Sequence, residues 1–255
     1  MVMLPDARTP EGLRLYAIGD VHGRVDLLAE MHLRIAHDLA RRPVAGRRVI
    51  HLGDYIDRGP DSARALGRLL DYQRAGQAEF LIGNHDRFLL DFLIDPEGAD
   101  LDLWMYNGGA TTLDSFGIDG LLGAFSSDAG SRRRLYDQLI AAMRPGLPEF
   151  LAGLSPMLRY GDYVFVHAGV RPGVALEDQS ADDLVWIREP FLSSGADHGA
   201  VIVHGHTPVD AVEVRPNRIG IDTGAVFTGK LTCLVLEGAA RALLGADGPE
   251  PFIDC

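Results

Sequence analysis

Cysteine is scarce, two residues in 255, so neither a disulfide framework nor a thiolate metal site is available and a reducing compartment is favoured. Of the two, Cys233 falls inside an apparent strand and Cys255 is the last residue. No run approaches the ~20 apolar residues of a membrane span. The first twelve residues hold Pro5, Asp6, Pro10 and Glu11 where a signal peptide would have an apolar core, so a cytoplasmic location is expected. Low-complexity tracts are missing, and so is any basic excess: 24 Lys and Arg stand against 36 Asp and Glu, a formal net charge of −12. That balance argues against coating a nucleic-acid polymer or resting on anionic lipid. What is present, 47% apolar and 24% charged residues, is the composition of a globular chain long enough to bury a substantial core.

Three successive units then share one pattern. Leu13 to Ile18 turns apolar and runs into Gly19-Asp20-Val21-His22-Gly23; from Val25 to Leu39 apolar residues recur at three- and four-residue spacing, which predicts an amphipathic helix. Val49 to Leu52 reads as a buried strand, Gly53 to Ser62 as its polar loop, and Ala63 to Tyr72 as a helix with Leu66, Leu69 and Leu70 on one face. Glu79 to Ile82 is a third strand, Gly83-Asn84-His85-Asp86 its loop, and Phe88 to Leu93 the start of a third helix. Asp61 and Ser62 suit the cap of the second helix. His51 reads as structural, and His32, His37 and His198 as surface residues.

Residues 96–160 are less regular and mostly helical. They predict an insertion packed at the sheet edge rather than a separate domain, because no Pro/Ser/Gly-rich linker bounds them, so 1–255 is read as one domain. Arg132 to Arg134 suit a solvated helix face. The last hundred residues predict strands, with a hairpin turn at Pro216-Asn217. Alternating strands and helices followed by a strand-rich half predict two mixed sheets packed face to face with helices outside, a four-layer αββα sandwich.

Chemistry gathers where these strands end. Five of them run directly into short loops holding Asp20 and His22, Asp54, Asn84 and His85, His167, and His204 with His206. Alone, each is an ordinary helix cap, turn former or half-buried histidine. Together they form a ligand set of carboxylate, imidazole and amide without thiolate, which suits Mn²⁺, Fe or Zn²⁺. His204 and His206 sit two residues apart on one side of an extended segment, so spacing permits either to be the ligand.

The ordered blocks Gly-Asp-Val-His-Gly at 19–23, Gly-Asp-Tyr-Ile-Asp-Arg-Gly at 53–59, Gly-Asn-His-Asp at 83–86, His167-Ala168-Gly169 and His204-Gly205-His206-Thr207-Pro208 resemble the phosphoprotein phosphatase branch of the calcineurin-like metallophosphoesterases. The resemblance runs from about Leu13 to about Gly238 and is loose over 96–160. It implies that Asp20, His22 and Asp54 hold one divalent metal, with Asp54 also bridging to a second that Asn84, His167 and His206 complete. Mn²⁺ is the favoured occupant of both sites. His206, not His204, is the ligand it selects. It further implies phosphate-clamping roles for Arg58 and for Arg188 in Trp186-Ile187-Arg188-Glu189, and a general acid in His85 whose imidazole Asp57 orients. From residue chemistry alone, Arg188 could instead form a salt bridge with Glu189 or Asp183.

One position departs from the pattern. Asp86 stands where eukaryotic protein phosphatases of this branch usually have Glu, and bacterial members, including symmetrical diadenosine tetraphosphate hydrolases, often have Asp. Those nucleotide hydrolases tend to lack an acid where this chain has Asp57. The resemblance therefore implies a serine/threonine phosphatase acting on phosphorylated proteins or peptides, with small phosphoesters as further substrates. A symmetrical dinucleoside polyphosphate hydrolase is the alternative, and a catalytically silent phosphoprotein-binding module is a second. Substrate choice is expected to lie in 96–160, including Trp104, Tyr106 and Asn107.

Overall fold

The computed structural model describes residues 2–76, 78–120 and 128–251; Cys255 and part of the expected insertion lie outside them. Strands β1 (Leu13–Ile18), β2 (Gly46–His51) and β3 (Ala78–Phe80) alternate with helices α1 (Val25–Arg41), α2 (Ser62–Arg74) and α3 (Asn84–Ile94). Four helices follow among the described residues: α4 (Leu101–Tyr106), α5 (Gly109–Ser115), α6 (Ala129–Ala142) and α7 (Leu147–Ala152). The chain then forms β4 (Met157–Tyr160), β5 (Tyr163–Val166), α8 (Ala181–Trp186), β6 (Val201–His204), β7 (Glu213–Arg215), β8 (Arg218–Gly220), α9 (Ala225–Thr228), β9 (Cys233–Glu237), β10 (Ala240–Leu244) and β11 (Pro249–Pro251).

These strands make two sheets, ordered β11-β10-β9-β1-β2-β3 and β4-β5-β6-β8-β7. In the first, β1, β2 and β3 are parallel neighbours and β9 returns antiparallel on β1. In the second, β5, β6 and β8 are parallel, with antiparallel edges β4 and β7. Because side chains on a strand alternate faces, β1 serves two layers. Leu15 and Ala17 meet Phe165, Val203 and Ile219 between the sheets, while Tyr16 and Ile18 meet Met31 and Ile35 of α1 on the outer face. Val164, Val166 and Ile202 on the far side of the second sheet are covered by Leu184, Ile187 and Phe191. The expected αββα sandwich is therefore present, and parallel strands aim their carboxyl ends at one edge.

Local differences from expectation have identifiable causes. The third loop is the first turn of α3, because Asp86 at its third position accepts a bond from the Gly83 N–H and starts the helix at Asn84. Met157–Tyr160, inside the span assigned to the insertion, pairs with β5 as a strand of the second sheet. Asp61 caps α2, accepting from the Arg64 N–H, whereas Ser62 is buried and accepts from the Asp57 N–H. His32 is buried rather than at the surface, stacked on Tyr72 and 3.0 Å from the His51 ring nitrogen, with Arg68 donating to its other nitrogen. Arg132 is not simply solvated; it donates to the carbonyls of Glu97 and Ala99. Among the described residues no helix is long and apolar enough to cross a membrane.

Candidate metal centre

The strand ends converge so closely that only glycine fits between some of them. A Cβ added at Gly83 would fall 2.2 Å from Asp54 Oδ1, and one at Gly205 would fall 2.0 Å from Asp20 Oδ1. Convergence also bends the backbone. Among the described residues the non-glycine residues with positive φ are His22, Asp54, Asp57, Arg58 and His206, with φ from 44 to 68°. Each was singled out from sequence as a site residue, and each such conformation costs about 1–3 kcal/mol that the surrounding structure must offset. Asp86 supplies part of that support at Asp54: its carboxylate accepts from the backbone N–H groups of Asp54 (2.7 Å), Tyr55 (3.0 Å) and Gly83 (3.0 Å). Burial and the nearby Asp54 push the Asp86 carboxyl up to about 7, while those N–H bonds pull the other way.

Asp54 lies at the junction of two ligand groups. His22, Asp54 and His85 form one, and Asp54, His167 and His206 the other, with ligand atoms in each within 4.8 Å of one another. The Nδ1 of His22 is 2.7 Å from the Ile56 carbonyl, and the Nδ1 of His167 is 2.9 Å from that of Leu52. Those carbonyl contacts turn each ring so that Nε2 faces Asp54, at 3.5 Å for His22 and 3.4 Å for His167, the arrangement that orients metal-binding histidines. Asn84 Oδ1 is the meeting point of His167 Nε2 (3.0 Å) and His206 Nδ1 (2.9 Å). Asp20 belongs to neither triad. Its Oδ2 accepts from the His206 N–H at 3.0 Å, and its buried Oδ1 has no hydrogen-bond partner.

The electrostatics of this cluster favour added positive charge. Burial, and after it Asp222 and then Asp54, push the Asp20 carboxyl well up. Burial alone would depress His167, but Asp54, 3.4 Å away, together with Asp20 and the Leu52 carbonyl, outweighs it and raises the group to about 10. Burial holds His22 and His206 neutral by lowering each to about 3. An orphaned carboxylate oxygen, free imidazole nitrogens and crowded acids fit a hard or borderline divalent cation.

His85, which the first of these groups includes, is also one half of an acid–base pair. His85 Nδ1 is 2.7 Å from Asp57 Oδ2, and His85 Nε2 is buried without a hydrogen-bond partner, 4.0 Å from Asp54 Oδ2. Asp57 also accepts from Trp104 Nε1, 3.1 Å from each carboxylate oxygen, and from the Thr112 hydroxyl at 2.6 Å. Burial raises the Asp57 carboxyl, with His85, Thr112 and Trp104 opposing. Trp104 is thus a core residue rather than part of a substrate surface, because its indole N–H finds a buried acceptor. Tyr106 is exposed, and Asn107 spends its amide on the Leu103 carbonyl at the end of α4.

Arg58 is exposed and places Nη1 3.0 Å from His22 Nε2. Arg188 is exposed too, close enough for its charge to disfavour protonation of His206. The salt bridge open to it from sequence is not formed among the described residues: Asp183 pairs with Arg171. His204 turns away from the ligands, edge-on to Phe191 and 3.5 Å from Arg218.

Sequence reasoning passed over Asp222 and gave Asp86 no structural role. Asp222 is a buried carboxylate that accepts from the Gly224 N–H, and burial, with Asp54 among the further influences, raises it. Its signal was available, since Asp222-Thr223-Gly224 follows β8 as Asp20 follows β1. Asp86 could have been read from its place three residues after a glycine at a helix start.

Residues 13–233 match the family model of the calcineurin-like phosphoesterases. The chain is 28% identical over 226 residues to serine/threonine-protein phosphatase 1 of Salmonella typhimurium, covering 86% of this chain and 89% of that one. It is 26% identical over 235 residues to an asymmetrical bis(5'-nucleosyl)-tetraphosphatase of Anoxybacillus flavithermus, covering 85% and 88%. A crystal structure described as a candidate diadenosine tetraphosphatase superposes with a TM-score of 0.62 at 19% identity, covering 97% of this chain and 96% of that one, a likeness of fold. The chain belongs to the calcineurin-like phosphoesterases, a hydrolase family.

Proposed function

We propose that the protein is a metal-dependent phosphomonoesterase acting on phosphoserine or phosphothreonine in proteins and peptides, and on small phosphoesters in vitro. The observation that carries this reading is the buried Asp57–His85 pair at 2.7 Å, whose free Nε2 lies 4.0 Å from the carboxylate shared by both ligand groups. An alkoxide is a poor leaving group, so a placed proton donor beside the phosphate matters most for that substrate class.

Asp20, His22 and Asp54 would hold one divalent cation, and Asp54, Asn84, His167 and His206 a second, Mn²⁺ being the favoured occupant of both. When bound, such a pair supplies a nucleophilic water near neutral pH and neutralises charge on the phosphoryl oxygens. Arg58, beside His22, and Arg188, near His206, are both exposed and bind the remaining phosphoryl oxygens; planar guanidinium suits that contact. His85 donates a proton from Nε2 to the departing oxygen while Asp57 accepts from Nδ1–H and keeps the ring in place. Attack on phosphorus is direct and in line, with no covalent phosphoenzyme.

A second reading, hydrolysis of dinucleoside polyphosphates, is favoured by the tetraphosphatase relatives of similar identity and coverage. Side-by-side turnover of a phosphoserine peptide and diadenosine tetraphosphate with Mn²⁺ separates the two. A higher kcat/KM on the peptide is expected. A higher value on the dinucleotide favours the second reading, and tight phosphopeptide binding without turnover would mark a silent binding module.

A further inference from the structure

Asp57 is fully buried, and among the described residues neither arginine nor lysine pairs with it. Its hydrogen-bond donors besides His85 come from the helical region, 47 and 55 residues away in the chain. Trp104 of α4 spans both carboxylate oxygens with one indole N–H, which fixes the plane of the group. Thr112 of α5 acts twice: its hydroxyl donates to Oδ1 at 2.6 Å, and its oxygen accepts from the Asp57 backbone N–H at 2.9 Å. The second bond holds the residue in its left-handed conformation, φ 68°. Ser62, at the start of α2, contacts both the Asp57 N–H and the Thr112 hydroxyl and closes the ring. Helix α5 is held against the same loop by a second contact, the Arg58 N–H donating to the Gly108 carbonyl.

Only one direction is then left open at His85. Trp104 and Thr112 are the two other donors on the carboxylate, so the imidazole meets Oδ2 along its Nδ1–H, and its Nε2 lies 4.0 Å from Asp54 Oδ2. We infer that Trp104 and Thr112 are positioning residues for proton donation to the leaving group, and that the helical region completes the acid half of the site rather than only shaping a substrate surface. This rests on the phosphoesterase reading above.

The test uses the full-length protein carrying Trp104→Phe, which keeps a ring against Phe92, Thr112→Val, which keeps the shape without the hydroxyl, and Thr112→Ser, which keeps the hydroxyl. With Mn²⁺, kcat on a phosphoserine peptide should fall roughly 10- to 100-fold in the first two variants. It should change less than about 3-fold on p-nitrophenyl phosphate, whose leaving group needs little protonation. Thr112→Ser should stay near wild type on both. In the metal-free protein with labelled histidine, the His85 Nδ1–H resonance, identified by its loss in His85→Asn, should shift or exchange away in Trp104→Phe and Thr112→Val while thermal melting shows both folded. An unchanged ring resonance, or equal loss on the two substrates, overturns the inference. Should the wild type hydrolyse neither substrate, the functional reading fails, and the resonance still decides whether these two residues position His85.

Discussion

Asp54 and Asp57 stand three residues apart on one loop, yet they are held by different parts of the molecule. Asp54 is fixed from nearby motifs: Asp86 binds its backbone N–H, and its Oδ1 accepts from the His85 N–H. Asp57 is fixed from afar, by an indole and a hydroxyl on α4 and α5. The metal half of the site is thus built by the sandwich itself, where strand ends meet. The pair proposed as the acid half, Asp57 and His85, depends on helices added to it. A cation collects ligands at the edge of a sheet, whereas an oriented proton donor needs walls.

The largest expected effect breaks the metal half. Asp54→Asn removes charge from both ligand groups, and hydrolysis of every phosphoester should fall on the order of 10³-fold or more, whatever the leaving group. His85→Asn breaks the acid half instead. Its loss should reach about 10²- to 10⁴-fold on phosphoserine peptides and be far smaller on p-nitrophenyl phosphate, read as the ratio of the two kcat values. Asp86→Asn touches the metal half only through the backbone. Losing acceptor capacity for three buried N–H groups should lower stability by about 1–3 kcal/mol in chemical denaturation.

The two halves also differ in how far they could be read from the chain. That Asp20, His22, Asp54, Asn84, His167 and His206 gather in one place was legible because polar groups directly after apolar strands are costly unless they bind something, and the coincidence recurs five times. The two sheets were legible for a related reason, the alternation of strand and helix periods. Trp104 and Thr112 were not, since an aromatic and a threonine in an irregular helical stretch have no spacing that ties them to Asp57. Nor was the burial of His32. That depends on Tyr72 and Arg68 arriving from α2, and a histidine on an amphipathic helix gives no sign of it.

His32 gives a control outside both halves. Burial, with help from Arg68, lowers it to about 3, whereas an unfolded histidine titrates near 6.5. Between those values the unfolded chain binds more protons, so stability falls as pH drops from about 6.5 towards about 3, by at most about 1.4 kcal/mol per pH unit from this group. His32→Gln should flatten the acid limb of a denaturation series. The smallest effect is expected just past the functional half of the loop. Asp61→Ala removes the α2 cap and should cost about 1 kcal/mol, with kcat within about twofold of wild type. A large loss of activity there would extend the site beyond Gly59.

The central claim is that Asp54 joins two cation sites. Calorimetric titration of the metal-stripped protein with Mn²⁺ tests it most directly. Two ions per chain are expected in the wild type and at most one in Asp54→Asn; a single ion in the wild type, or two retained in the variant, would contradict it.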